Sequence, residues 1–378
     1  MTVPARPPLN EDQRHAAALA GLGAAPATLR RFLDGHRPVD AWAALARGEH
    51  GADPGQRYRA PTMAGSPAAV AEACDRAGTD VTVLGSPAYP LALAGDRDAP
   101  AVLFSRGDLS VLDGRCRVAV VGTRAASRYG LDAAGEFGAG LADAGVAVVS
   151  GLARGVDCAA HGGALSVDGG GPVVAVLGTA VDAPVSPAQA AVRAAVAGRG
   201  VVLSELPPGA PGARWWFAVR NRVMAALAHV VVVVECHDRG GSLHTVAAAR
   251  ARGVPVAAVP GSIRSRASVG TNQLIAAGAV AVAGPDDVLR LAAAAGAPCP
   301  EVAAPRPRAR GTEPARAGPA APIDGAGRAA WRSLDHDPAL VEVVVRRSGL
   351  PVGAVSLALE RLAAAGLARE DRGWWSRA

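Results

Sequence analysis

The sequence predicts an α/β chain in which a doubly wound, mostly parallel sheet is preceded by a small helical domain and followed by a winged-helix domain. Three observations carry this. Short valine-rich runs alternate with helix-like stretches from position 81 to about 291, the pattern of strands buried between two layers of helices. Two of these runs, Val118-Ala119-Val120-Val121 and Val146-Ala147-Val148-Val149, lead into glycine-rich turns. The last segment reads as helix, turn and helix around Ser348-Gly349-Leu350.

Taken in order, the stretch from Asn10 to about Arg59 places Leu29, Phe32, Leu33, Trp42 and Leu45 at helical spacing, and a Gly/Asp/Pro break at 51–54 ends it. The two valine runs are too short for helices and rich in β-branched side chains, so they read as buried parallel strands. Positions 173–177, 201–203, 230–234, 256–259 and 280–282 continue the series. The stretch 298–322 is dense in Pro, Ala and Arg without periodicity and reads as a semi-extended linker. Beyond it, the apolar run 340–345, a restart at Pro351, a stop at Gly366 and a Gly373 turn before Trp374-Trp375 spell out two helices and a wing. The expected domains are therefore 1–60, 61–296 and 323–378, with 297–322 as linker.

Composition removes several kinds of chemistry. All 39 basic residues are arginine, so neither a Schiff-base lysine nor the P-loop lysine exists, and the usual ATPase mechanism is excluded. Hydrophobic residues make up 50% of the 378, ample for a buried core. Cys74, Cys116, Cys158, Cys236 and Cys299 are odd in number and form no CxxC pair, which predicts reduced, packed thiols and no metal site. No cofactor is expected. No apolar run approaches the roughly 18 residues that span a bilayer, and no basic-then-apolar leader opens the chain, so a cytoplasmic location is expected. A net charge of +6 and a pI near 9.6 admit an anionic polymer as partner.

The turns Gly122-Thr123-Arg124 and Ser150-Gly151-Leu152-Ala153-Arg154-Gly155 both follow strands and open helices. In a doubly wound sheet such turns meet in one crevice at the carboxyl edge, where glycine lets the backbone approach a ligand and helix-start N–H groups favour negative charge. The expected ligand carries phosphate. Gly240-Gly241-Ser242-Leu243-His244-Thr245 is a third loop of this kind. Arg220, Asn221 and Arg222 follow Trp215, Trp216 and Phe217 closely, and arginines beside aromatics suit phosphates and unstacked bases. The alternative for one of these two arginines is an internal pair with Glu205 or Glu235. A hydrolytic trio of Ser150, Asp157 and His161 is a rival reading, as is a nucleotide or nucleoside-phosphate hydrolase with Glu205 or Glu235 as base. In the C-terminal segment the second helix offers only Arg361, beside Glu360, for reading a duplex groove, so a protein contact or a stabilising appendage is at least as well supported there.

Order and spacing from Gly122 to Ala279 resemble the bacterial DNA-processing protein A family (DprA, also called Smf). The matching pieces begin with Gly122-Thr123-Arg124, Ser127-Arg128-Tyr129-Gly130 and Ser150 to Asp157 with Ala160-His161. They continue through Ser204-Glu205, Arg220-Asn221-Arg222, Gly241 to Thr245, Ala258-Val259-Pro260-Gly261 and Gly270 to Ile275. The resemblance implies an extended Rossmann-like domain that binds single-stranded DNA, dimerises, and helps load RecA recombinase during natural transformation, without catalysis. It implies a phosphate pocket of Gly122, Thr123, Arg124, Ser127, Gly151, Arg154, Arg220, Asn221, Arg222, Ser242 and Thr245, with Trp216 and Phe217 as stacking candidates. The N-terminal helices would then be an accessory domain of sterile-alpha-motif or helix-hairpin-helix type.

Overall fold

The computed structural model describes residues 7–58, 65–300, 324–334, 338–371 and 373–377. They belong to two compact units, Met1–Val302 and Ala303–Ala378. From residue 301 onward the expected linker lies outside the described residues.

The first unit opens with helices α1 (Glu11–Gly21), α2 (Pro26–Leu33), α3 (Pro38–Arg47) and α4 (Pro67–Arg76). Asn10 and Gln13 start α1 with a reciprocal capping box, each side chain accepting the other's backbone N–H at 2.9 Å. Proline opens the other three, where its missing N–H is no loss. Leu19, Phe32 and Leu45 point inward and join the core beneath one face of the sheet.

That sheet has nine strands: β1 (Asp80–Val83), β2 (Val102–Gly107), β3 (Arg117–Val121), β4 (Ala147–Ser150), β5 (Val173–Val176), β6 (Gly200–Ser204), β7 (Val230–Val233), β8 (Val256–Ala258) and β9 (Val280–Ala281). Their order is β1-β2-β6-β5-β4-β3-β7-β8-β9. Every pair from β6 across to β9 is parallel, while β1 and β2 add an antiparallel edge. Helices cover both faces. The side chains of Val118 and Val120 pack toward α6 (Arg128–Asp143), α7 (Val156–Leu165), α8 (Pro187–Arg199) and α12 (Pro285–Ala294). Ala119 and Val121, alternating as a strand requires, pack toward α5 (Leu91–Ala94), α9 (Arg214–Leu227), α10 (Ser242–Arg250) and α11 (Val269–Ala276).

The strand order positions the site. From β3 the chain lays down β4, β5 and β6 in one direction, then returns to place β7, β8 and β9 on the other side of β3. The connections leaving β3 and β7 therefore diverge, and the gap between them is the crevice of a topological switch point.

One expectation fails in this unit. Cys116, just before β3, and Cys299, just after α12, are joined as a disulfide with their Cα atoms 4.9 Å apart, so the thiols are not all free. The two lie 183 residues apart, and the fold brings them together with α12 packed against α6 and β7. Cys74, Cys158 and Cys236 take no part in this disulfide.

The second unit holds α13 (Gly325–Ser333), β10 (Ala339–Leu340), α14 (Val341–Ser348), α15 (Val352–Ala364), β11 (Ala368–Asp371) and β12 (Trp374–Arg377). The three strands are antiparallel in the order β10-β12-β11. Leu334, Val344, Val355, Leu359 and Leu362 form its own core. Gly349, in the left-handed region at φ 70°, ends α14, and the chain restarts at Pro351. Among the described residues no helix is long and apolar enough to cross a membrane.

Candidate functional site

A crevice of about 550 Å³ opens at the switch point, within the range of ligand pockets. Four segments form it. The β3–α6 loop supplies Gly122, Thr123 and Arg124, and the β4–α7 segment supplies Ala153 and Asp157. Helix α9 supplies Arg214, Phe217, Asn221 and Met224, and the loop into α10 supplies His237, Gly241, Ser242, His244 and Thr245.

Backbone bonds hold the β3–α6 loop in place. Thr123 donates its N–H to the Glu235 carbonyl at 2.8 Å and accepts from the Val156 N–H. Arg124 is exposed, and its guanidinium lies 4.8 Å over the Phe217 ring. Ser127 faces elsewhere. Its hydroxyl donates to the Glu235 carboxylate at 2.6 Å and accepts the Gly130 N–H at the start of α6.

The β4–α7 turn is strained around a buried arginine. Leu152 sits at φ 53°, and Gly155 at φ 88° takes a conformation that side chains rarely adopt. The Arg220 guanidinium occupies the space where a Cβ on Gly151 would stand, so a side chain there would have to displace it. Arg220 itself is buried and donates to the Gly151 carbonyl at 3.0 Å, to the Val176 carbonyl, and to Asn221 Oδ1. Burial pulls its pKa down to about 10, with Asp157 opposing and Arg124 assisting. Asp157 is buried too, and burial raises its carboxyl above the ordinary range against the pull of Arg220.

The opposite wall ends at α10. Among the described residues the N–H groups of Gly241 and Ser242 meet no acceptor. The Thr245 hydroxyl, on a residue only 1% exposed, is buried without a hydrogen-bond partner. The Ser242 hydroxyl rests on the Cys236 sulfur at 3.0 Å, and the Asn221 amide donates to the Gly241 carbonyl. The chemistry of this wall is donor-rich and suits an anion.

The structure thus brings together Gly122, Thr123, Arg124, Phe217, Asn221, Ser242 and Thr245 around the crevice, with Arg220 set into its floor. Arg154 is exposed next to Ala153 in the chain and is not among the residues that line the crevice. Arg222 is not in the crevice. It pairs with Glu205 at 2.6 Å, the internal pairing weighed for one of the two arginines. Trp216 packs against Ala180 and Leu206 and has no open face, whereas its stacked neighbour Trp215 is exposed. Arg214 and His237 were absent from the sequence reading, and His244 entered it only as part of the third loop, without a role of its own. A signal for Arg214 existed, because positions 214, 217, 218, 221 and 224 share one helical face and all five line the crevice.

Of the groups in the hydrolase readings Asp157 lines the crevice, and the others are engaged elsewhere. The Ser150 hydroxyl donates to the Val120 carbonyl at 2.6 Å, and His161 Nε2 lies 3.2 Å from the Val174 carbonyl. Glu205 is held by Arg222 and Glu235 by Ser127. Burial lowers the His161 pKa from 6.5 to about 4. Because the folded value lies below the unfolded one, the unfolded chain takes up the proton first as pH falls. The fold is then expected to lose roughly 3 kcal/mol between pH 6.5 and pH 4. Urea midpoints measured across that window should show the loss in the native protein and a smaller one in His161→Leu. Equal losses in both would remove His161 as the cause.

With this geometry in place, comparison with known proteins gives a consistent result. The sequence profile of DNA recombination-mediator protein A matches residues 80–293. The chain belongs to that family. It is 36% identical to a putative DNA processing protein DprA of Mycobacterium tuberculosis over 282 residues, covering 73% of this chain and 68% of the relative. The crystal structure of DprA from Streptococcus pneumoniae superposes with a TM-score of 0.63 at 31% identity, over 74% of this chain and 97% of that one. DNA processing protein A of Helicobacter pylori, whose structure is described for its single-stranded DNA binding mode, gives 0.50 at 26% identity over 56% and 95%.

Proposed function

We propose that this family member binds single-stranded DNA in the switch-point crevice and, as a mediator of recombination in transformation, passes the strand to the RecA recombinase. The observation that carries the reading is the buried, unpartnered Thr245 hydroxyl beside the open N–H groups of Gly241 and Ser242. A buried donor without a partner is unfavourable by about 1–3 kcal/mol, and a phosphate oxygen at that point satisfies it. Arg124 and Arg214 supply the charge, and Arg154 adds to it. Gly122 and Thr123 give the backbone room, Asn221 holds the far wall, and Phe217 offers its ring to a base. On this reading Gly151 and Arg220 shape the floor, while Ser127 and Arg222, held by Glu235 and Glu205, support the fold around the crevice. The relatives support the same ligand, since the Helicobacter protein binds single-stranded DNA.

The proposal includes no catalysis, because the candidate bases are engaged in the fold. It places the protein in the cytoplasm as a homodimer in which two crevices track one strand, with residues 1–60 and 323–378 as accessory domains. The second unit reads as a winged helix whose α15 presents Gly353, Leu357 and Glu360 to solvent, a surface for a protein contact.

The test is an anisotropy titration against a labelled single strand, a matching duplex and a mononucleotide. With about three phosphates neutralised by Arg124, Arg154 and Arg214, the single-strand log–log salt slope is expected near −2. Turnover of the mononucleotide without strand affinity would overturn the reading.

A further inference from the structure

Ile263 is 89% exposed, the most exposed of the large hydrophobic side chains in the described residues. A lone exposed apolar residue is ordinary; its setting is not. Ile263 stands at the tip of the β8–α11 loop, yet that loop is tied down on both sides. Asn272 exchanges two hydrogen bonds with the backbone of Gly261, at 3.3 and 3.0 Å. The Tyr129 hydroxyl donates to the Pro260 carbonyl at 2.8 Å, and the Cys236 N–H donates to the Ala267 carbonyl at 2.8 Å. The tip is therefore held out by a fixed frame.

The loop is also continuous with the crevice. His237, which lines the crevice, has its Nδ1 3.1 Å from the Arg266 carbonyl. Positions 260–268 contain no acidic residue. Among the described residues the guanidinium groups of Arg239, Arg264 and Arg266 meet no carboxylate, whereas Arg128, Arg222 and Arg252 each do. Unpaired cations beside an apolar tip match one kind of chain, a polyanion whose bases are unstacked and present apolar faces.

We propose that the β8–α11 loop is the exit surface for the bound strand, with Arg264 and its neighbours on successive phosphates and Ile263 against the face of a base that has left the crevice. The proposal rests on the single-strand reading of the crevice and extends it to a direction of travel, past His237 and over the loop. It leaves the crevice contacts to the residues already named. Ile263 and Arg264 lie outside them, so their removal affects only strands long enough to reach the loop.

The experiment uses the full chain and fluorescein-labelled oligothymidylates of about 4 and about 16 nucleotides, the span of site sizes known for single-strand binders. For Ile263→Ser combined with Arg264→Ala, the longer strand is expected to bind about tenfold more weakly, with a salt slope shallower by about 0.7 for the lost phosphate contact. The shorter strand is expected to bind as in the native chain. Native-like binding of both lengths overturns the proposal, as does an equal loss on both, which would make the loop a support for the crevice. Light scattering closes the remaining route: conversion of a native dimer to a monomer by the same substitutions would assign the loop to a second copy of the chain and overturn the proposal. Failure of the native chain to bind either strand would instead sink the crevice reading itself, so the two failures are distinguishable.

Discussion

Replacing Arg220 by alanine is expected to destabilise the fold by about 3–5 kcal/mol and to abolish strand binding with it. The guanidinium is buried, and it serves the carbonyl of Gly151 in the turn that floors the crevice and that of Val176 at the end of β5. Its loss leaves those buried acceptors unserved and removes the positive charge that opposes the burial of the Asp157 carboxyl. The turn is already strained at Leu152 and Gly155, so it lacks an alternative resting shape. Urea unfolding at pH 7 measures the first effect, and anisotropy at a temperature where the variant remains folded measures the second. A variant as stable as the native chain that loses binding alone would mean that Arg220 touches the strand directly.

Arg124→Glu is expected to weaken single-strand binding about 100-fold while leaving stability within roughly 0.5 kcal/mol. Arg124 is exposed at the mouth of the crevice and makes no carboxylate pair among the described residues. Losing one charge-assisted contact accounts for about 1.5–3 kcal/mol, and placing an anion beside a phosphate adds repulsion. Because phosphates carry no sequence information, the loss should be equal for oligothymidylate and oligoadenylate. A loss confined to one base would show that Arg124 reads the base and not the backbone.

The parallel strands were legible because each is a short valine-rich run bounded by turns, and the three glycine loops were legible because they follow such runs. The edge formed by β1 and β2 was less so, since strands that return antiparallel carry no special composition. The site divided along the same line. Loops declare themselves by glycine and position, so Gly122 to Arg124 and Ser242 to Thr245 could be expected at one sheet edge, where they line a single crevice. Helix α9 was harder. Arg220 and Arg222 are two residues apart and point to different surroundings, one into the β4–α7 turn and one to Glu205. Which of them would face the ligand depends on the rotation of the helix against the sheet, and the same rotation buried Trp216 while exposing Trp215. The Cys116–Cys299 bond had no trace in the sequence, because spacing of 183 residues says nothing of proximity.

The neighbouring strands β3 and β7 are joined across a long interval, with the paired segments at Arg117 and His229 separated by 112 residues. One wall of the crevice leaves β3 and the other leaves β7, so neither is a wall until both strands lie side by side. Contacts that distant form late, after the entropy of closing so long a loop has been overcome. A chain emerging from the ribosome therefore carries the Gly122–Arg124 loop long before it carries a place to hold DNA, and strand binding serves as a direct readout that the sheet has been completed.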